Sequence, residues 1–335
     1  MNQRDEGRPA LTLPKTDDDN ANFNRGYLIA LLSSAILSTT AILIRHLTLN
    51  YQLPALVLAF WRDSFVVLTL LPVLALVRPR LLRVERARLP YLLLYGLVLA
   101  TFNSLWTLSV ALNGASISTV LAYCSAGFTA LLGWWLLKER LDWAKMVAVV
   151  LSLGGCVLVA EALDPAAWRA NPLGILTGIF SGLAYAAYSL MGRSAAQRGL
   201  NPWTTLLYTF GGAAGFLLAF NLLLGGILPG AAQGPGDLFW LGNDLAGWGI
   251  LFALAAGPTL AGFGLYNTSL GYLPSSVANL ILTTEPVFTV LIAYFLLGER
   301  LNGVQLAGSL MILAGVAFLR IYEGRLAGQP QPAAN

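Results

Sequence analysis

Lys138-Glu139-Arg140-Leu141 returns 160 residues later as Gly298-Glu299-Arg300-Leu301. Around these two turns, Leu105/Leu265, Ser109/Ser269, Ser116/Ser276, Phe128/Phe288, Thr129/Thr289, Leu136/Leu296, Leu153/Leu313 and Gly155/Gly315 match at the same offset. An earlier stretch matches at an offset of 148: Gly26/Gly174, Leu28/Leu176, Ser33/Ser181, Arg45/Arg193 and Pro54/Pro202. The chain is therefore one unit written twice. The twelve extra residues of the second copy fall in the Gly/Pro-rich stretch 225–244.

Composition names the solvent. The chain is 57% hydrophobic and 11% charged, with a mean hydropathy of +0.69, whereas a soluble domain carries roughly 25% charged residues. Its charges are bunched and leave apolar stretches of about 20 residues, enough to cross a bilayer as helices. Ten spans are predicted: 26–47, 54–77, 89–110, 115–137, 142–162, 173–194, 202–225, 245–270, 275–297 and 302–322. The fold class is thus an all-α integral membrane protein of ten helices in two inverted five-helix repeats. Residues 26–162 form the first repeat and 173–322 the second. Residues 1–25 and 323–335 read as polar, disordered cytoplasmic tails. The first span follows an acidic segment, Asp17-Asp18-Asp19, and lacks the basic start of a signal peptide. Cys124 and Cys156 read as two small membrane-buried side chains.

Charge sets the orientation. With the N-terminus in the cytoplasm, sixteen Lys and Arg residues face inward, among them Arg78, Arg80, Arg83, Arg86 and Arg88. Arg45, Arg169 and Arg300 face outward, and Arg62 lies inside a span. The positive-inside rule asks for this bias. Both termini are then cytoplasmic, and the two matching turns face opposite sides. An odd number of helices per repeat inverts the second copy, an architecture of secondary transporters.

Thr284-Glu285-Pro286-Val287-Phe288, Leu297-Gly298-Glu299-Arg300-Leu301, Gln305-x-x-Gly308 and Ala314-Gly315-Val316 closely resemble the second half of an EamA-type permease of the drug/metabolite transporter superfamily. The resemblance covers about residues 26–322. It implies two inverted five-helix halves around a central cavity, moving small metabolites, with amino-acid export frequent among bacterial relatives. The first half departs from the pattern. Ser125-Ala126 stands where the second has Glu285-Pro286, Lys145 replaces Gln305, and Ala148 replaces Gly308.

Several residues are candidates for the substrate pathway. Glu285 sits near the middle of a span, where an unpaired carboxylate costs about 2.5–3.5 kcal/mol and marks function by default. Pro286 beside it frees a backbone carbonyl one turn earlier. The alternative is a structural carboxylate bound to a neighbouring helix. Arg62 and Asp63 form a second mid-span pair. Neighbours on a helix point about 100° apart, so the two are not expected to face one another; Arg62 could reach a carboxylate, with Glu285 and Asp63 the mid-membrane acids on offer, or snorkel outward. Asn103, Trp106 and Thr107 share one helical face, and the 160 offset relates Trp106/Tyr266 and Thr107/Asn267. Tyr123, Tyr185, Tyr188 and Asn279 extend this polar, aromatic set, which suits a zwitterionic or aromatic metabolite. The alternative for each is ordinary interhelical hydrogen bonding. Gly257 and Pro258 interrupt the eighth span, as a discontinuity or a kink. Gly174, Gly178 and Gly182, like Gly211, Gly212 and Gly215, suggest close helix contact.

Other classes are excluded or weakened. A lone histidine, His46, argues against a metal site, and no cofactor motif is present. The GxxxxGK[ST] phosphate loop is missing, as are HExxH and GxSxG, so the chain reads as no enzyme. Gly234-Pro235-Gly236-Asp237 imitates an intramembrane aspartyl-protease motif, but lies in a loop and lacks a second placed aspartate. A lipid or lipid-linked-sugar flippase of the same superfamily is the closer rival. The expected partners are the bilayer of the cytoplasmic membrane, a small metabolite, and protons as the coupling ion that Glu285 would serve. A nucleic acid is not expected. A monomer suffices because both repeats share one chain.

Overall fold

The structure, a computed structural model, describes residues 17–113, 115–159, 172–225, 227–297 and 302–328. The second matching turn, Gly298–Leu301, and Arg169 lie outside the described residues. Among the described residues every regular element is a helix. The first half comprises α1 (Asp17–Leu37), α2 (Thr40–Asn50), α3 (Ala55–Val77), α4 (Leu89–Asn113), α5 (Ala115–Tyr123), α6 (Ser125–Leu137) and α7 (Trp143–Val159). The second comprises α8 (Pro172–Gln197), α9 (Pro202–Leu223), α10 (Leu245–Leu254), α11 (Leu260–Tyr272), α12 (Ser275–Leu282), α13 (Glu285–Leu297) and α14 (Gly303–Gly328).

Six helical stretches are long and apolar enough to cross a membrane: 21–50, 55–77, 86–112, 172–197, 202–223 and 245–272. Leu121–Leu137, Trp143–Leu158 and Gly303–Leu319 are shorter apolar helices. The predicted span 275–297 is broken in two, because Pro286 has no N–H to give to Leu282. Among the described residues, helix reaches into both terminal segments. The helix already starts at Asp17. At the other terminus, α14 continues to Gly328 with Arg325 in its last turn, the charge that a helix C-terminus prefers.

Helix packing obeys the repeat. α1 packs on α11 and its mate α8 packs on α4; α3 packs on its own mate α9, and α7 on α14. The α7–α14 seam shows this atom by atom. A side chain at Gly155 would come within 2.6 Å of the Gly308 carbonyl oxygen, and one at Gly315 within 3.0 Å of the Ala148 carbonyl oxygen. Residues 155 and 315, and 148 and 308, are repeat mates, so the seam maps onto itself when the halves exchange. The helix starts match too. Asp142 Oδ1 accepts the Lys145 N–H at 2.9 Å, and Asn302 Oδ1 accepts the Gln305 N–H at 2.8 Å, each capping the first turn.

The arginine pair repeats the theme. Arg45 donates to the carbonyls of Val110 and Ala111 near the end of α4. Its mate Arg193 donates to Leu270 and Gly271 near the end of α11. Each satisfies carbonyls that a helix terminus leaves unbonded. The stretch with no counterpart in the first half is folded tightly. Ala231, Ala232, Leu238 and Leu241 are buried, and Leu56 N–H donates to the Gly230 carbonyl at 2.8 Å. Asn221 fastens this stretch by accepting from Ala232 N–H at 2.9 Å while donating to the Leu56 carbonyl.

Candidate substrate cavity

Two breaks at the same repeat position shape the centre of the molecule. α5 gives way to α6 at Cys124, and α12 to α13 at Thr283-Thr284. Pro286 explains the second break: it leaves the Leu282 carbonyl without its helical donor, and Ser34 of α1 reaches that oxygen at 3.5 Å and the Thr284 hydroxyl at 2.9 Å. The first break has no proline. There α8 presses close instead, and a side chain at Gly182 would meet the Ala122 carbonyl oxygen at 3.1 Å. Gly182 and Ser34 are repeat mates. Thus α1 covers one break with a hydroxyl and α8 covers the other with bare backbone. Gly174 and Gly178 share this face, and Ser109 donates to the Gly174 carbonyl at 3.2 Å. Of the second glycine set, Gly212 alone sits in tight contact, against Gly96.

A cavity opens beside both breaks. Its walls come from both halves, and Leu37/Tyr185, Asn103/Phe263 and Ala122/Leu282 are repeat mates within it. Its volume is only about 50 Å³, room for a few waters at roughly 10–15 Å³ each. An organic solute therefore needs the helices to move apart before it can be held whole.

Six of the sequence candidates line this cavity: Arg62, Asn103, Trp106, Tyr123, Tyr185 and Glu285. Sequence reasoning missed Thr40, Phe102 and Leu37 among its lining. Thr40 and Leu37 flank the turn between α1 and α2, a break that carries no Gly or Pro. Phe102 lies one turn before Trp106 on α4, and with no polar atom it does not stand out from the apolar residues of its span. Phe102 packs against Tyr185 at 4.8 Å and against Trp106 at 6.1 Å, the second pair stacked.

Arg62 takes one of the two acids the sequence offered it, although neighbours on a helix are not expected to face one another. Its Nε lies 3.4 Å from Asp63 Oδ1, and both side chains are buried. The side chains leave the helix in different directions, but the long arginine stem folds back. Burial makes this pairing worthwhile, since an isolated charge in a low-dielectric interior is costly. Asp63 therefore stands behind the cavity, not in its wall. Asn103 Nδ2 donates to Asp63 Oδ2 at 2.6 Å. The Arg62 guanidinium also lies 6.0 Å from the Trp106 ring centre, within cation–π range. Glu285 is the first residue of α13, where the helix dipole favours a carboxylate, and the Tyr123 hydroxyl faces it.

Five other candidates are buried behind the wall. Tyr188 and Asn267 bond each other at 2.9–3.1 Å. Tyr266 donates to Ser189 at 2.6 Å, Asn279 donates to Ser189 at 3.1 Å, and Ser125 donates to Asn279 Oδ1 at 3.0 Å. These groups tie α8, α11, α12 and α6 together. The aromatic and amide ring predicted from the repeat is thus split: Asn103, Trp106, Tyr123 and Tyr185 line the cavity, and Tyr188, Tyr266, Asn267 and Asn279 are taken up in structural hydrogen bonds. Thr107 is fully buried and does not line the cavity.

The remaining candidates have structural positions. Pro258 lies in a π-helical turn, Ala255–Thr259, between α10 and α11. It withholds the bond owed to Leu254, and the Thr259 hydroxyl supplies it at 2.8 Å. Gly257 lies in the same turn, open to space, so this is a bulge within a continuous rod. His46 is on the exposed side, paired with Asn50 at 2.8 Å. Asp237 of the protease-like motif accepts the backbone N–H groups of Gln233 and Gly234, which occupies it as a loop fastener. Both cysteines are free thiols. Among the described residues no cluster of His, Cys, Asp and Glu is arranged to hold a metal ion.

The profile of the EamA-like transporter family matches residues 24–160 and again 172–321. The chain belongs to the EamA-like transporter family. It is a multi-pass membrane protein. A probable amino-acid metabolite efflux pump of Escherichia coli (strain K12) is 27% identical over 245 residues, covering 71% of this chain and 79% of that one. The threonine/homoserine exporter RhtA of Salmonella typhimurium (strain SL1344) is 27% identical over 239 residues, 70% of this chain and 72% of its own. An uncharacterized transporter of Archaeoglobus fulgidus is 30% identical over 181 residues, 54% of this chain and 58% of that one. This EamA chain spans less than two thirds of the length of three relatives, at 58%, 65% and 66%. A solved crystal structure shares the fold at a TM-score of 0.70, with 17% identity, over 90% of this chain and 99% of the other.

Proposed function

We propose that this chain is a secondary transporter that exports small zwitterionic metabolites, amino acids foremost, across the cytoplasmic membrane. Ten membrane segments would do this: α1 with α2, α3, α4, α5 with α6, α7, α8, α9, α10 with α11, α12 with α13, and α14. Residues 26–162 and 173–322 would be inverted copies, with both termini cytoplasmic. The observation that carries the reading is the cavity where the halves meet. Its wall offers aromatic rings, an amide, hydroxyls, one Arg and one Glu. Such a wall hydrogen-bonds an ammonium and a carboxylate without burying an unpaired ion. A sugar phosphate would require paired cations, and Arg62 is the one Lys or Arg in this wall. Two relatives, the probable amino-acid metabolite efflux pump and the threonine/homoserine exporter, agree with amino-acid efflux.

The present cavity is too small for an amino acid, so transport proceeds by helix rearrangement. The breaks at Cys124 and Thr283-Thr284 are where half-helices can swing, because backbone irregularity inside a membrane is tolerated where it meets protein or a cavity. Counterflow in liposomes tests the reading. Purified protein should exchange labelled amino acids across the bilayer, and an imposed proton gradient should drive their accumulation. Exchange of a sugar phosphate but of no amino acid would overturn it.

A further inference from the structure

Three buried polar atoms lack a hydrogen-bond partner among the described residues and belong to residues of the same cavity wall: Arg62 Nη2, Asn103 Oδ1 and Thr40 Oγ1. Their side chains are 1%, 1% and 3% exposed. Buried polar atoms are nearly always bonded, and three orphans on one small cavity mark a place for a ligand. Their chemistry is fixed by what lies behind them. Asp63 can only accept, so Asn103 must turn its Nδ2 toward it and present its carbonyl oxygen elsewhere. Asp63 also accepts from Nε of Arg62 alone, and Nη2 has no partner. The wall therefore presents a cationic donor, a neutral acceptor, a hydroxyl and the Glu285 carboxylate.

We infer that this set is a two-ended recognition site for an α-amino acid, with the substrate carboxylate on Arg62 Nη2 and its ammonium on Glu285, assisted by Asn103 Oδ1. The inference rests on the amino-acid reading above and adds the residues that hold each end. Thr40 can donate to the carboxylate or accept from the ammonium. Phe102, Trp106 and Phe263 receive the side chain, so the substrate carries an apolar or aromatic group. An acidic side chain would meet Glu285 with the same sign. Asp63 is a positioning residue: it holds the guanidinium and orients the amide, and it does not touch substrate. A dianion is disfavoured, because Asp63 already offsets most of the charge of Arg62.

Competition in liposomes reads both ends separately. Labelled phenylalanine is exchanged against phenylalanine, phenethylamine (no carboxylate) and 3-phenylpropionate (no ammonium). In the wild type each truncated analogue should compete roughly tenfold or more weakly, since a buried charge that loses its partner loses a charge-assisted hydrogen bond. In Arg62→Gln the advantage of phenylalanine over phenethylamine should vanish, while its advantage over 3-phenylpropionate persists. Glu285→Gln should do the reverse. Should Arg62→Gln fail to fold, Arg62→Gln with Asp63→Asn removes both buried charges together and is read in the same way. Phenylalanine exchange whose preference for a carboxylate survives loss of Arg62 would overturn the two-ended site while leaving amino-acid export intact. A wild-type protein that exchanges no amino acid would overturn export itself, and the site with it.

Discussion

Glu139 shows how one side chain joins the two halves. Its Oε1 accepts from Ser275 N–H at 2.8 Å and Ser275 Oγ at 2.6 Å; its Oε2 accepts from Ser276 N–H at 3.2 Å and Ser276 Oγ at 2.6 Å. A first-half carboxylate thus caps the start of α12 in the second half. Lys138 turns the chain by taking φ +53 at the end of α6. Gly133 leaves room for the carboxylate, since a Cβ there would lie 2.8 Å from Glu139 Oε2. Glu139→Ala should lower stability by about 1–2 kcal/mol, the usual cost of a lost helix cap, with Glu139→Gln between the two. Thermal unfolding in detergent checks this, and an unchanged Tm would show that the cap is replaced by water. Glu285→Gln at the cavity should instead leave Tm close to wild type and abolish acceleration of export by a proton gradient. Full export with unchanged gradient dependence would remove Glu285 from the coupling.

Pro286 and the glycines of α7 and α14 act on whole helices. Pro286→Ala returns an N–H to Leu282, so α12 and α13 can fuse into one rod. Such a variant should unfold at a higher temperature, because proline inside a helix costs about 3 kcal/mol. It should export at least severalfold more slowly, because a hinge has been removed. Paired measurements of Tm and initial rate decide the matter, and a stabler protein of undiminished rate would show that the break is not used as a hinge. The α7–α14 seam makes the opposite demand. Gly155→Val places methyl groups where the Gly308 carbonyl oxygen already sits 2.6 Å from an added Cβ. The helices must separate, and a loss of stability of roughly 1–3 kcal/mol is expected from overpacking. Gly315→Val should do the same from the other helix, and less than additively in combination, since both act on one seam.

Across the whole molecule, sidedness is the property that function depends on. Cysteine labelling in intact cells, with Cys124 and Cys156 replaced by serine, reads it directly. Ala87→Cys, in the arginine-rich segment before α4, should be shielded from an impermeant maleimide added outside. Gln233→Cys, in the folded stretch between α9 and α10, should react. Both residues are exposed, so silence at position 233 or labelling at position 87 would refute the orientation. The folded stretch itself bears on motion. Trp61 Nε1 donates to the Leu238 carbonyl at 2.5 Å and Trp240 Nε1 to the Tyr51 carbonyl at 3.1 Å. These bonds tie α3 and the end of α2 to the second half at one end of the molecule.

The sequence by itself determined the repeat, its two offsets and the family, because residues such as Gly155/Gly315, Arg45/Arg193 and Asp142/Asn302 hold backbone positions that any swap of the halves must preserve. It also singled out Arg62, Glu285 and Trp106, because charge and large polar rings are rare in an apolar span and stand out singly. Tertiary structure alone decided which mates face the cavity. Trp106 and Tyr266 occupy equivalent places on equivalent helices, yet one lines the wall and the other bonds Ser189 behind it. Nothing local distinguishes them, since each is a ring on a helix face. What differs is the helix packed opposite, and that depends on contacts more than 70 residues away in the chain. The folding-back of Arg62 onto Asp63 is of the same kind. Helical spacing separates the two side chains, and only the surrounding burial makes their pairing the favourable arrangement.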